Sequence, residues 1–196
     1  MTVNHKLERG KIIKAAAAII AGNGKHNFKT KALADNMGVS RGKIQYYFNS
    51  SQEIIDEAFL WVNTETMKKM RKLVNNAHNV NDIVSQQQFL DPILPLNKAT
   101  DIEWKVRVAY WEYTYSCNDA SRVFNETSQN QIDTIANIIQ TLQTNGVVRT
   151  DIEADSIASQ IFHLVKGLSS TLIYMPMYKR REFTKSLYDY LNLIAA

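Results

Sequence analysis

Residues 29–54 read KTKALADNMGVSRGKIQYYFNSSQEI. The spacing predicts a short helix from Thr30, whose hydroxyl suits an N-cap. Leu33, Ala34 and Met37 recur at helical spacing as its buried face. Gly38 supplies the left-handed residue that ends the helix. Val39 fills the gap behind the turn, and Ser40 restarts the chain as the next N-cap. In the second helix Ile44 and Phe48 lie four apart and face inward, which leaves Arg41, Lys43, Gln45 and Tyr46 pointing outward. Asn49, Ser50 and Ser51 break the run, and Ser50 with Glu53 opens a third helix as a capping box. Two short helices about a tight turn, with polar and basic groups on the second, suit the major groove of DNA. The plainer alternative is a surface helical hairpin with a glycine cap, and Gly-Val-Ser alone is a weak signal. The complete order of Ala34, Gly38, Val39, Ser40, Gly42 and Ile44 followed by Tyr-Phe is much rarer.

Charge supports the first reading. Residues 1–50 carry nine Lys and Arg against Glu8 and Asp35, a net of +7. The remaining residues carry −3, consistent with the total of +4. A basic end on a mildly acidic body points to a polyanion partner at that end.

The rest of the chain reads as helical. With 45% hydrophobic residues over 196 positions it can bury a substantial core, and 7 Gly with 3 Pro disfavour an all-β or disordered chain. A first helix is expected from Val3 to Ala21, with Leu7, Ile12, Ala16 and Ile20 on one side. Gly22-Asn23-Gly24 ends it. A long helix from Ser50 to Asn75 links the two ends of the molecule along Ile54, Ala58, Trp61, Val62, Met67 and Met70. Further helices are expected at 82–90, 100–117, 121–144, 151–174 and 180–194. The fold class is therefore all-α: a three-helix helix-turn-helix head, residues 1–49, and a helical-bundle body, residues 50–196. No stretch is apolar for long enough to span a bilayer, so no membrane partner is expected. A single cysteine, Cys117, excludes an internal disulfide and suits a reducing cytoplasm.

The residues from Thr30 through Gly38-Val39-Ser40, Gly42, Ile44, Tyr47-Phe48, Ser50, Glu53 and Ile54 resemble the N-terminal domain of the TetR family of bacterial transcriptional regulators. The Tyr-Tyr-Phe ending is closer to the choline-responsive BetI branch than to TetR itself. One departure is Ser51, which stands where the family usually starts the next helix with lysine, so a common phosphate contact is weakened. The resemblance is motif-specific over about the first 65 residues and architectural beyond them. It implies a cytoplasmic, ligand-responsive repressor acting as a homodimer on a pseudo-palindromic operator in double-stranded DNA. Thr30, Ser40 and Tyr47 would contact phosphates. Lys31, Arg41, Lys43, Gln45 and Tyr46 would lie nearest the base edges, where Arg or Lys suits guanine and Gln suits adenine. Lys31 serves equally well as a phosphate clamp.

The body is expected to hold the dimer face and a site for a small-molecule inducer or co-effector of unknown identity. Ile157, Ile161, Leu164, Leu168 and Leu172 recur at three- and four-residue spacing, as do Phe183, Leu187, Tyr190, Leu191 and Ile194. They read as a two-helix dimer face or, alternatively, as core helices of a monomer. Phe89, Trp104, Trp111, Tyr115, Phe162 and His163 are candidates for an aromatic pocket suited to a lipophilic cation, with Glu112 supplying negative charge. Aromatics at this spacing are also ordinary core. An enzyme reading has no motif behind it: no phosphate-cradling Gly loop, no nucleophile elbow and no His-Glu-x-x-His. No cofactor or metal site is expected, because His5, His26, His78 and His163 are scattered and Cys117 has no companion at ligand spacing. The remaining alternative is a helical adaptor that binds nucleic acid without sequence preference.

Overall fold

The structure, a computed structural model, describes residues 3–24, 27–75 and 90–196. Its α-helices are α1 (Val3–Asn23), α2 (Thr30–Met37), α3 (Arg41–Tyr47), α4 (Ser51–Asn75), α5 (Lys98–Thr114), α6 (Asn118–Thr144), α7 (Ala154–Leu172) and α8 (Lys185–Ile194). A 3-10 helix, Met177–Thr184, precedes α8, where a continuous helix from 180 was expected. Among the described residues the only β feature is an isolated bridge between Val148 and Ala195, so the fold is all-α. Apart from Leu90, the helix expected at 82–90, and with it Phe89, lies outside the described residues.

Packing divides the chain into two compact units. One comprises Met1–Asn63 with Ile102–Phe124, and the other Thr64–Asp101 with Asn125–Ala196. This partition differs from the expected division of roles at residue 49, because part of α5 packs with the N-terminal helices. In the first unit Ile12, Ala16 and Ile20 of α1 join Leu33, Ala34, Ile44 and Phe48 in one core with Ile54, Ala58 and Val62 of α4. Leu7 does not join them and is 59% exposed. It sits nine residues before Ala16, which at 100° per residue places it on the opposite side of α1. The α5 segment of this unit is joined to α4 by the stacked rings of Phe59 and Tyr110, with centroids 4.0 Å apart. The Tyr110 hydroxyl donates to Asp56 at 2.7 Å, and burial together with that carboxylate raises the phenol pKa.

The second unit buries an apolar core that includes Ile139, Leu142, Ile157 and Ile161, and with it one guanidinium, that of Arg180. Arg180 donates to the Asp101 carboxylate at 2.6 Å, the Pro95 carbonyl at 2.7 Å and the Met175 carbonyl at 3.0 Å. It thereby ties the 3-10 helix to the turn before α5, a turn that Asn97 closes by accepting from the amides of Ala99 and Thr100. Arg181 and Tyr188 both reach Asp91. Burying such a charge costs stability unless it is paired and hydrogen-bonded, as Arg180 is.

Candidate nucleic-acid interface

The turn between α2 and α3 forms as its residues dictate. Gly38 takes φ 65°, its amide donates to Asp35, and the amide of Val39 donates back to Ala34. Those two bonds make a Schellman closure, in which the left-handed residue carries no Cβ penalty. Ser40 is extended, and its hydroxyl accepts from the amide of Lys43 at 3.2 Å. Ile44 and Phe48 are buried, while Arg41, Lys43, Gln45 and Tyr46 are exposed. Helix α3 therefore presents a polar, basic outer face on an apolar seat.

Two capping expectations are corrected. Thr30 is not an N-cap: the cap residue is Lys29, extended, with no side-chain hydrogen bond to the helix. Phe28 is buried immediately upstream, so the helix begins as soon as that anchor is placed, and Thr30 lies half-buried in the first turn. Lys31 beside it is exposed. At α4, Ser50 accepts from the amide of Glu53 at 3.0 Å as expected. The carboxylate of Glu53 reaches back to the amide of Asn49, 2.8 Å away, one residue further than a capping box requires.

Sequence reasoning missed the residues that hold α3 from behind. His5, Glu8 and Arg9 recur at i, i+3 and i+4, the spacing of one helical face, and that face of α1 meets α3. The His5 ring lies 4.8 Å from Tyr47, which meets Tyr46 edge-on at 5.0 Å. Glu8 pairs with Lys43 at 3.0 Å and with Lys11 at 2.6 Å, and bonds to those two ammonium groups lower its pKa. Arg9 donates to the Tyr47 carbonyl, Glu53 and Glu57, with its guanidinium 4.1 Å from the Phe48 ring centroid. Partial burial would raise the Glu53 pKa, but the Asn49 amide and Arg9 outweigh it, and the group is held below its ordinary value. The signal was available in the spacing, although nothing local says what such a face touches.

The other predicted sites are placed less favourably. Of the expected pocket residues, Trp104, Trp111, Glu112 and Tyr115 belong to the first unit and Phe162 and His163 to the second, and Phe89 lies outside the described residues. Trp104 is buried with the Arg107 guanidinium 4.9 Å from its ring. Arg107 in turn donates to Asn63 at 2.8 Å and to the Val62 carbonyl at 2.9 Å. Trp111 meets Trp104 edge-on at 6.2 Å. Tyr115 is 94% exposed and Glu112 is exposed, so neither lines an enclosed site. In the second unit Phe162 is half-buried beside Lys166, 5.3 Å from its ring. His163 is exposed, with Nδ1 2.7 Å from the carbonyl of Ser159 on its own helix.

The expected dimer residues divide. Ile157, Ile161, Leu172, Leu187, Leu191 and Ile194 are buried within their own chain and are core, because the most apolar stripe of each helix packs inward first. Leu164 and Phe183 are exposed, and Leu168 and Tyr190 half-buried. Three of these line an apolar groove of about 340 Å³ with His163, Gly167, Ser186 and Leu187.

Comparison with known proteins agrees with this architecture. Residues 12–58 match the family of bacterial regulatory proteins of the tetR type, and residues 86–195 match the BetI-type transcriptional repressor C-terminal domain. The HTH-type transcriptional regulator PksA of Bacillus subtilis (strain 168) is 21% identical over 93% of this chain and 87% of its own. A transcriptional regulator from Saccharomonospora viridis, solved in complex with choline, shares the fold at a TM-score of 0.82. It is 23% identical, over 97% of this chain and 99% of that one. A TetR-family regulator from Rhodococcus sp. superposes with a TM-score of 0.80 at 18% identity, over 96% of this chain and 98% of its own. With both domains matched in order, the chain belongs to the TetR family, carries a BetI-type repressor domain, and is a DNA-binding transcriptional regulator.

Proposed function

We propose that the protein represses transcription as a homodimer. Its two heads bind the half-sites of a pseudo-palindromic operator, and a small organic effector acting on the body sets the affinity. The observation that carries the DNA step is the seating of α3: Ile44 and Phe48 buried beneath, Arg41, Lys43, Gln45 and Tyr46 exposed above. Ser40, Thr30 and Tyr47 take phosphates, helped by the free amides at the start of α3. Arg41 and Lys43 read guanine, and Gln45 adenine. A single head makes too few contacts for tight specific binding, which favours two. The partner surface is the apolar groove beside Leu164, Leu168 and Tyr190, rather than the isoleucines buried beneath it.

The effector acts by population shift, binding one body conformation more tightly and changing the spacing of the heads. The regulator from S. viridis was solved with choline, so choline is the first compound to test. The Trp104 ring already carries the Arg107 guanidinium, and a quaternary ammonium is not expected to take that face.

Selection of bound duplexes from a random pool tests the reading. Recovery of a palindromic consensus, bound by a dimer about a thousandfold more tightly than random duplex, is the expected outcome. The absence of any sequence preference in moderate salt overturns it. An effector that binds without altering operator affinity overturns the ligand step for that compound.

A further inference from the structure

We propose that His5 of α1 is a DNA contact additional to those of α3: its Nε2–H donates to a backbone phosphate at the edge of the groove that α3 enters. The inference rests on the reading of α3 as the recognition helix, and it extends the interface to a residue outside the helix-turn-helix.

Aromatic packing places the half-buried imidazole. Its ring centroid lies 4.8 Å from that of Tyr47 and 6.0 Å from that of Tyr46, with interplanar angles of 52° and 60°. Both separations fall in the range where tilted aromatic pairs attract. The two tyrosines meet each other edge-on, so three rings fix one another at the end of α3. One turn further along α1, Arg9 holds the Tyr47 carbonyl and covers the Phe48 ring. That contact keeps this end of α1 against α3.

The two ring nitrogens have different surroundings. Nδ1 is buried with no hydrogen-bond partner, whereas Nε2 is open and, among the described residues, makes no hydrogen bond. A buried N–H without an acceptor destabilises, so the proton of the neutral ring sits on Nε2 and Nδ1 keeps its lone pair. Packing alone does not account for a histidine here. A phenyl ring would make the same aromatic contacts and bury no unpartnered nitrogen. What the imidazole adds is the open N–H. On the reading of α3 above, Tyr46, 74% exposed, stands towards the bases and Tyr47 takes a phosphate. A donor packed against both rings lies where the edge of the groove passes, and the acceptors there are phosphate oxygens.

The test compares His5→Phe with the parent protein on a duplex selected from a random pool and on a scrambled duplex of the same length. A parent that shows no preference between the two duplexes refutes the recognition-helix reading itself, which separates that failure from this one. Given a preference, His5→Phe is expected to bind the selected duplex about three- to tenfold more weakly per half-site, the range of one hydrogen bond from a neutral donor. Selected duplexes carrying a methylphosphonate at one phosphate at a time then locate the contact. The parent should lose affinity at several positions, and His5→Phe should be insensitive at one of them and respond like the parent at the rest. Binding of the selected duplex by His5→Phe within about twofold of the parent overturns the proposal. Sensitivity of His5→Phe at every position where the parent is sensitive also overturns it, because His5 would then act only through packing. His5→Ala, which removes the ring as well, must become insensitive at the same phosphate for the proposal to stand. Thermal melting establishes that each variant is folded at the titration temperature.

Discussion

Arg9→Ala should loosen the head and its grip on DNA together, and the size of the effect can be worked from the contacts. The Arg9 side chain is 14% exposed and joins three segments. It satisfies the carbonyl of Tyr47 at the end of α3, pairs with Glu53 and Glu57 in the first turns of α4, and covers the Phe48 ring. A carbonyl at a helix C-terminus has no partner within its own helix, and a hydrogen bond from a charged donor contributes about 1.5–3 kcal/mol. The two carboxylates are 28% and 32% exposed, so their pairing is screened and contributes about 0.2–1 kcal/mol each. The ring contact adds about 0.5–1 kcal/mol. These contributions overlap, and the expected loss is about 2–4 kcal/mol. For a chain of this length that corresponds to a melting midpoint lower by roughly 5–15 °C. Arg9→Lys should recover less than half of the loss, because a compact ammonium cannot serve three acceptors while lying over a ring. Thermal unfolding followed by circular dichroism measures the midpoints, and gel-shift titration well below them measures affinity for the selected operator. A midpoint within 2 °C of the parent for Arg9→Ala would refute the reasoning, as would full recovery by Arg9→Lys.

Four other outcomes are expected. Gly38→Ala meets open space, since no atom lies within 4 Å of the added Cβ; the strain of φ 65° alone should cost about 1–2 kcal/mol in denaturant unfolding. Arg180→Ala strips a guanidinium from buried Asp101 and from the carbonyls of Pro95 and Met175; it should destabilise by about 3–5 kcal/mol, with part recovered by Asp101→Asn in the same chain. Arg41→Ala and Lys43→Ala should each weaken operator binding by about 1–3 kcal/mol in gel-shift titrations at fixed salt, with relaxed preference at one base pair. The pH dependence follows from Glu53, held below its ordinary value of 4.5 in the folded head. Its contribution is complete above that value and is lost as pH falls through the lower folded one. Stability measured between pH 6 and 3 should therefore decline, less steeply in Glu53→Gln.

Where interactions are local in sequence, the chain announced its structure. The Gly38 closure and the Ser40 cap need only neighbours within four or five residues, and the four-residue spacing of Ile44 and Phe48 puts them on one helical face; all were legible. So was the family, because the same short-range rules write its motif. Thr30 shows the limit of that logic. A good capping side chain does not start a helix when Phe28, docked just upstream, starts it one residue earlier.

Contacts between distant segments were not legible. Composition and spacing could propose Trp104 as one wall of a cation site, but only the packed structure put the chain's own Arg107 over its ring. The same holds for α7 and α8. Periodicity identified their apolar stripe, yet a stripe does not say whether it faces its own core or a partner, and Ile157 and Ile161 face the core while Leu164 remains outside. What the sequence determined by itself was the helix-turn-helix, the all-α class and the basic N-terminal end. The tertiary structure decided which face of α1 braces α3, which cation covers Trp104, and which side of the last two helices stays exposed. The physical reason is that capping, turn strain and helical period act over a few residues, whereas burial and ion pairing depend on where the chain returns to itself in space.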